Sequence, residues 1–156
     1  MATSLLNMIC LLQRVTQGSV SVSDEIIGQI SSGLVVLCGF QPHDSTESLE
    51  KMAHKLLHYR VFSDEDDKMN LNLQQAFNGQ GGELLLVPQF TLAADTKKGL
   101  RPSFHTSASP DLAHDLFKQF VTLITEKFGS PQTGKFGANM QVSLINDGPV
   151  TFWLET

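Results

Sequence analysis

The sequence predicts an α/β fold: a mixed β-sheet carrying two main helices. Three observations predict it. Short apolar runs of strand length recur along the chain, two longer segments repeat their apolar residues every three to four positions, and Gly, Asn, Asp and Pro punctuate the connections. A length of 156 residues suits one core, so residues 1–156 are expected to form a single domain, with the first few residues as a short extension. Folding at this size buries roughly two-thirds of the extended surface, so no disulfide or structural metal is needed to hold it.

Leu12, Arg14 and Thr16 fall on one side of an extended segment, and Val20 and Val22 alternate with serines through Ser19–Ser23. Period-two alternation fits two half-exposed strands. Gly18 either turns the chain between them or marks a bulge. Asp24 and Glu25 form the next predicted turn, ahead of a short strand around Ile26–Ile30. After Gly33 the run Leu34–Cys38 does not alternate; short and β-branched, it reads as a strand covered on both faces.

The first helix starts with Asp44 as N-cap and Glu47 three positions later, the arrangement of a capping box. Leu49, Met52, Leu56 and Tyr59 then mark one helical face, with Ala53 and Leu57 beside it. Glu47 and Lys51 pair at i,i+4. His54 and His58 share the spacing of two metal ligands but lack the acidic residue of a zinc motif between them, so a structural or solvent role is expected. Asp64–Asp67 lacks the ordered positions of a calcium loop and reads as a solvated turn. Asn78-Gly79 and Gly81-Gly82 bracket a flexible connection, after which Glu83–Val87 enters the core as a strand.

The second helix has Ser109 as N-cap, Pro110 at its first position and Asp111 at its positive end. Leu112, Leu116, Phe117, Phe120, Leu123, Ile124 and Phe128 form its apolar face, and Gly129 and Pro131 stop it. Met140, Val142 and Leu144 alternate in a penultimate strand, and Val150, Phe152 and Leu154 in a last one. With Asn146–Pro149 between them they make a hairpin-like unit, Pro149 sitting in the turn or at a strand boundary.

Composition bounds the function. Hydrophobic residues make up 41% and charged residues only 17%, which fits either a buried subunit interface or low-charge loops. A net charge of -5 argues against coating long stretches of nucleic acid, DNA included, yet leaves room for a local contact with an RNA end. Lys97, Lys98 and Arg101 form a compact basic loop; a solvated turn is the preferred reading, with a few phosphates as the alternative. Cys10 and Cys38 lie in apolar runs and act as small core hydrophobes. There is no signal-peptide pattern and no apolar run near roughly 20 residues, so no membrane is expected and the cytoplasm is the expected compartment.

No GxSxG elbow, P-loop, GxGxxG or CxxC pair is present, and the histidines give no zinc signature, so neither metal nor cofactor is expected. Pro88-Gln89-Phe90-Thr91 is more informative, because it interrupts an apolar strand. Proline favours an edge or bulge, lifting the following backbone out of routine pairing. Gln89 can donate through its amide and Thr91 through its hydroxyl. Free backbone N–H groups beside them could stabilise the charge that develops on an attacked ester carbonyl. A purely structural bulge fits the same residues.

Several ordered motifs together carry a resemblance. They are Gln13–Thr16, Met69–Leu71, Val87–Leu92, Gly99–Phe104, Phe136–Leu144 and Asn146–Thr151, spanning nearly all of the chain after the first few residues. In these the chain resembles the D-aminoacyl-tRNA deacylase family, of its common bacterial and eukaryotic type. The resemblance implies barrel-like curvature of the sheet. It also implies metal-independent hydrolysis of the ester between a D-amino acid and the terminal adenosine of tRNA, in chiral proofreading and translation quality control. A homodimer is implied, each active site completed by its partner, with removal of mischarged glycine as a further activity.

Residue by residue, Gln89, Phe90 and Thr91 match the family's catalytic segment, while Pro88 replaces its usual serine. Backbone amides from Gln89 onward would stabilise the oxyanion, Thr91 would orient ester or water, and Pro88, Phe136 and Met140 would line the substrate side. Gly148 and Pro149 match a cross-subunit selectivity motif with a cis bond, which Arg14 helps to hold. The alternatives are another small-acyl ester hydrolase and a non-catalytic RNA-end-binding homodimer.

Overall fold

The computed structural model describes residues 7–156. β1 (Ile9–Val22) runs for 14 residues, long enough to take two successive neighbours along one edge. Its first half pairs antiparallel with β3 (Gly33–Gly39) and its second half with β2 (Glu25–Ile30). The opposite edge carries β8 (Gln141–Glu155) from Ile9↔Glu155 to Ser21↔Gln141. β6 (Glu83–Pro88) lies parallel to β3, and the short β7 (Gln132–Thr133) lies parallel to β6. The sheet order is therefore β2-β1-β3-β6-β7, with β8 added on β1. A small hairpin of β4 (Phe62–Ser63) and β5 (Met69–Leu71) closes around the acidic turn. There Asn70 and the backbone N–H groups of Lys68 and Asp66 donate to Asp64 and hold its carboxyl below the ordinary value.

The sheet is mixed, and its margins curl toward each other. A Cβ on Gly28 of β2 would lie 3.0 Å from the Thr133 carbonyl of β7 and 3.2 Å from Leu85 of β6. Gln29 N–H donates to Gln132 Oε1 across the same gap, at 3.2 Å. The missing side chain at Gly28 lets the two margins approach, which gives the near-barrel curvature.

Strand alternation then makes two cores. Leu34, Val36, Cys38, Leu84 and Leu86 point toward α1 (Thr46–His58) and α2 (Pro110–Lys127), whose Met52, Leu56, Phe117 and Phe120 complete that layer. Val35, Leu85 and Val87 point the other way, into the curl, against Val15, Val20 and Ile30. Each fully buried side chain of this kind contributes about 1.5–3 kcal/mol of transfer free energy. The unalternating runs 34–38 and 84–87 are thus covered on both faces. Cys10 and Cys38 are buried register partners on β1 and β3. Burial, with the Cys38 thiol beside it, pushes the Cys10 thiol well above its ordinary value, which makes it a poor nucleophile.

Several local expectations are corrected. Residues 9–22 form one strand, and Gly18 neither turns nor bulges it: a Cβ there would meet Val35 Cγ2 at 2.6 Å, so the glycine makes room for β3. The turn into β2 is Ser23-Asp24, with φ of 50 and 65°, and Glu25 already belongs to the strand. The N-cap of α1 is Ser45, in a reciprocal box with Ser48. Asp44 is buried instead, accepting from Met8 N–H, Gln41 N–H and the Ser48 hydroxyl at 2.7–2.8 Å. Tyr59 is the C-cap, in extended conformation and off the helical face. Ser109, Pro110 and Asp111 open α2 as expected, and Gly129 follows its end with φ of 140°.

The expected C-terminal hairpin does not form. Both halves of β8 run the same way along β1, and the register jumps from Gln13↔Thr151 to Val15↔Asn146. Asn146–Pro149 is an excursion from one long strand, because β1 is long enough to pair with both halves. Among the described residues no helix is long and apolar enough to cross a membrane.

Candidate active site

β3 and β6 end side by side, at Gly39 and Pro88. Clefts open at the carboxyl ends of parallel strands, where the connections diverge. A cavity of about 640 Å³ lies there. Its walls are the end of β6 with the following turn (Pro88, Gln89, Phe90), the first turn of α2, and the segment before β8 (Phe136, Asn139, Met140). Five predicted site residues thus share one cavity. The start of α2 brings the positive end of a helix dipole to the same wall.

Pro88 does not sit on an edge or in a bulge. It is the last residue of an interior strand, in register with Cys38. Gln89 N–H donates to the Cys38 carbonyl at 2.8 Å, so by alternation the nitrogen of Pro88 faces the β7 side. Pairing with β7 stops at Leu86↔Thr133, so no ladder bond asks Pro88 for a donor. Proline is tolerated because the ladder has already ended on that side.

The same bond corrects the expected role of the Gln89 amide. Its N–H is committed to the sheet, so the free donors begin one residue later. Phe90 opens a single 3-10 turn, Phe90–Ala93, and neither Phe90 N–H nor Thr91 N–H has a hydrogen-bond partner among the described residues. The first amides of any helical turn lack internal acceptors, and here they emerge at the cavity rim. The Gln89 side-chain amide donates to Thr91 Oγ1, holding both side chains against each other. Thr91 is exposed at the rim and does not line the cavity.

The aromatic and methionine walls are braced from behind. Phe90 packs against Phe104 with ring centroids 5.3 Å apart. Phe136 stacks on His114 of α2 at 4.9 Å, with an interplanar angle of 8°. The Met140 sulfur accepts the Lys135 N–H at 3.4 Å.

Arg14, Gly148 and Pro149 stand elsewhere. Arg14 donates from Nε to the Asp147 carbonyl at 3.1 Å and from Nη1 to the Val61 carbonyl at 2.8 Å, and pairs with the Asp147 carboxylate at 3.5 Å. Asn146 closes the excursion: its Oδ1 accepts Val150 N–H at 2.6 Å, and its amide donates to Thr151 Oγ1 at 3.0 Å. Gly148 has φ of 132°, and a Cβ there would lie 2.8 Å from Val150 Cγ2 and 3.3 Å from Arg14 Nη2. The Gly148-Pro149 bond is cis, as expected. Arg14 flanks Val15, which pairs with Gly33 at the opposite end of β3 from Cys38. Four to five residues of strand separate these positions from Pro88 by about 13–16 Å along the strand direction alone, with two strand spacings between β1 and β6 in addition.

This geometry can be set beside known proteins. The D-Tyr-tRNA(Tyr) deacylase family pattern matches residues 11–155. The chain belongs to this family. It is 91% identical over 149 residues to the D-aminoacyl-tRNA deacylase of Hydrogenovibrio crunogenus, covering 96% of this chain and 100% of that one. It is 58% identical over 147 residues to the D-aminoacyl-tRNA deacylase of Haemophilus influenzae strain 86-028NP, covering 94% and 99%. Among solved structures, the c-Myc DNA Unwinding Element Binding Protein superposes with a TM-score of 0.87 at 37% identity, covering 95% of this chain and 98% of that one. A probable eukaryotic D-amino acid tRNA deacylase superposes with a TM-score of 0.80 at 19% identity, covering 96% and 100%, a likeness of fold.

Several further residues shape this cavity without a local signature that marks them. Gly39 is one: a Cβ on it would sit 3.1 Å from Leu92 Cβ and 3.3 Å from the Gln89 carbonyl, so the glycine lets the 3-10 turn press against β3. Phe104, Ser107 and Asn139 line the cavity as well. For Phe104 and Asn139 the available signal was their place inside the quoted motifs.

Proposed function

We propose that this protein hydrolyses the ester between a D-amino acid and the terminal adenosine of tRNA, in translation quality control. Family membership supplies the reaction class, and one observation carries the chemistry on this chain: the unpartnered Phe90 and Thr91 amides at the rim of an apolar cavity. Two N–H groups held by a rigid turn can meet the negative charge on the ester carbonyl oxygen as water adds. Loss of one such donor costs about 3–4 kcal/mol in comparable acyl-transfer sites.

Water is the nucleophile in this reading. The hydrogen-bond partner of Thr91 Oγ1 is the Gln89 amide, which takes up no proton at neutral pH, so the hydroxyl lacks a base to activate it. Thr91 and Gln89 orient ester and water, and Phe136 and Met140 contact the adenosine. The ribose hydroxyl beside the ester assists the proton transfer.

The chain acts as a homodimer. Among the described residues β8 pairs on one side only, with β1, and exposes Val142, Ile145 and Trp153 along 15 residues of strand. Long apolar edges of this kind are covered in working proteins. A second copy also serves the chiral filter, because Gly148-Pro149 stands about 13–16 Å along the strands from the cavity of its own chain and is proposed to enter the partner's. There it rejects an L side chain sterically. Glycine has no side chain to reject, so mischarged glycine is a further substrate. Work in the cytoplasm follows from the substrate.

Matched single-turnover assays on D- and L-aminoacyl-tRNA test the reading. Rapid release from the D substrate with little from the L substrate is expected. Equal rates on both, or none on either with the dimer intact, would overturn it.

A further inference from the structure

Beside the cavity the chain makes one strongly basic feature. Asp95 and Ser103 exchange both backbone hydrogen bonds, at 2.7 and 3.0 Å, and close the base of a loop that carries Lys97, Lys98 and Arg101. These are three of the 11 lysines and arginines of a chain with net charge -5. All three are exposed, and no carboxylate lies within ion-pair distance of them among the described residues. Asp95, the acid at the base, is already engaged: it accepts Lys97 N–H at 3.0 Å and faces His105 at 3.7 Å. Leu100 at the tip is fully exposed, so the loop stands clear of the body.

The loop is fixed to the candidate site. Thr106 Oγ1 donates to the Ala93 carbonyl at 2.6 Å and Ser107 Oγ to the Phe90 carbonyl at 3.3 Å. Phe104 packs on Phe90. The stem that follows the basic loop is therefore tied to the turn with the free amides. A cavity of about 640 Å³ has room for a terminal nucleoside with its acyl group. The phosphates that precede that nucleoside in an RNA fall outside the rim, where a chain of this net charge otherwise repels them.

We infer that the loop 96–101 is a docking surface for the RNA backbone, with Lys97, Lys98 and Arg101 gripping phosphates of the acceptor end beyond the cavity. This rests on the aminoacyl-tRNA reading above. The surface acts on affinity and leaves the chemical step alone, because none of the three cations belongs to the cavity wall.

The test compares wild type with the triple variant Lys97→Ala, Lys98→Ala, Arg101→Ala on two substrates, D-aminoacyl-tRNA and D-aminoacyl-adenosine, across a salt series. For tRNA the variant should raise KM with little change in kcat. Each lost phosphate contact removes about 0.7–0.9 from the slope of log(kcat/KM) against log salt. Between about 50 and 200 mM salt, wild type should therefore lose about 20- to 40-fold more activity than the variant. On D-aminoacyl-adenosine, which has no phosphates, the two should be equal. Arginine at positions 97 and 98, with Arg101 restored, should recover the slope, and Lys51→Ala on α1 should leave it unchanged. Parallel slopes for wild type and triple variant overturn the surface, as does an equal loss on the adenosine substrate. Failure of the wild type on both substrates would instead strike the hydrolase reading itself.

Discussion

Pro88–Thr91 and Asn146–Pro149 are both short polar interruptions of apolar strands, and the sheet treats them in opposite ways. The first ends an interior strand. Its neighbours on β3 and the 3-10 turn hold it from behind, and Pro88, Gln89 and Phe90 line a cavity in its own chain. The second interrupts the edge strand β8. It is held by two side chains, Arg14 and Asn146, and among the described residues its outer side meets no other strand of the sheet. A site on an interior strand is set by packing, whereas a site on an edge is left for something else to meet. The difference sets a region framed by its own chain, proposed above to carry the chemistry, against one left open at an edge, proposed to present a surface.

The largest effect should come from deleting a donor in the first region. Phe90→Pro removes the N–H at the opening position of the turn, a place where proline fits and where Gln89 is already non-helical. We expect kcat to fall about 100- to 1000-fold, with Phe90→Leu as the control that keeps the N–H and loses only the ring. If both variants lose the same activity, the ring matters and the amide does not.

Gly148→Val should follow, with kcat/KM down about 100-fold on D-aminoacyl-tRNA. The new Cβ displaces Val150 or Arg14, and a displacement near 1 Å costs about that much in positioning. Mixing the Phe90→Pro and Gly148→Val proteins sharpens the comparison. Exchanged dimers carry one intact pair of regions, so about a quarter of wild-type activity should return. No recovery despite subunit exchange would put both regions in a site within one chain.

Arg14→Lys is expected to cost about tenfold in kcat/KM at unchanged secondary structure, because an ammonium cannot reproduce the guanidinium fork to Asp147 and Val61. Activity at the wild-type level would mean Asn146 alone holds the excursion. Pro88→Ser should change rate by less than about threefold, since no ladder bond depends on position 88. A large loss in the folded protein would show that the ring itself shapes the cavity.

Much of this was legible in the residues. The buried runs 34–38 and 84–87, the i,i+4 pair Glu47–Lys51 at 3.4 Å and the Ser109-Pro110 start of α2 all follow from local pattern. Where the reading missed, a distant partner had changed a local preference. Asp44 has the chemistry of an N-cap, but the Met8 amide, 36 residues away, takes its carboxylate inward. Gly18 looks like a turn until Val35 occupies the space of its side chain. Asn146–Pro149 has the composition of a hairpin turn, yet both flanks find the same long strand to pair with.

The sequence by itself determined the two helices and the main apolar strand segments, which residues are apolar, and, through its ordered motifs, the family. Periodicity and capping act over a few residues, so they can be read from neighbours alone. The tertiary structure decided which amides are free at positions 89–91, because only the register of β6 against β3 commits the Gln89 N–H to Cys38 and leaves those of Phe90 and Thr91 unpaired. It also decided that Gly148-Pro149 stands apart from that turn within one chain. Strand register and sheet order are set by contacts between residues far apart in sequence, which no local pattern encodes.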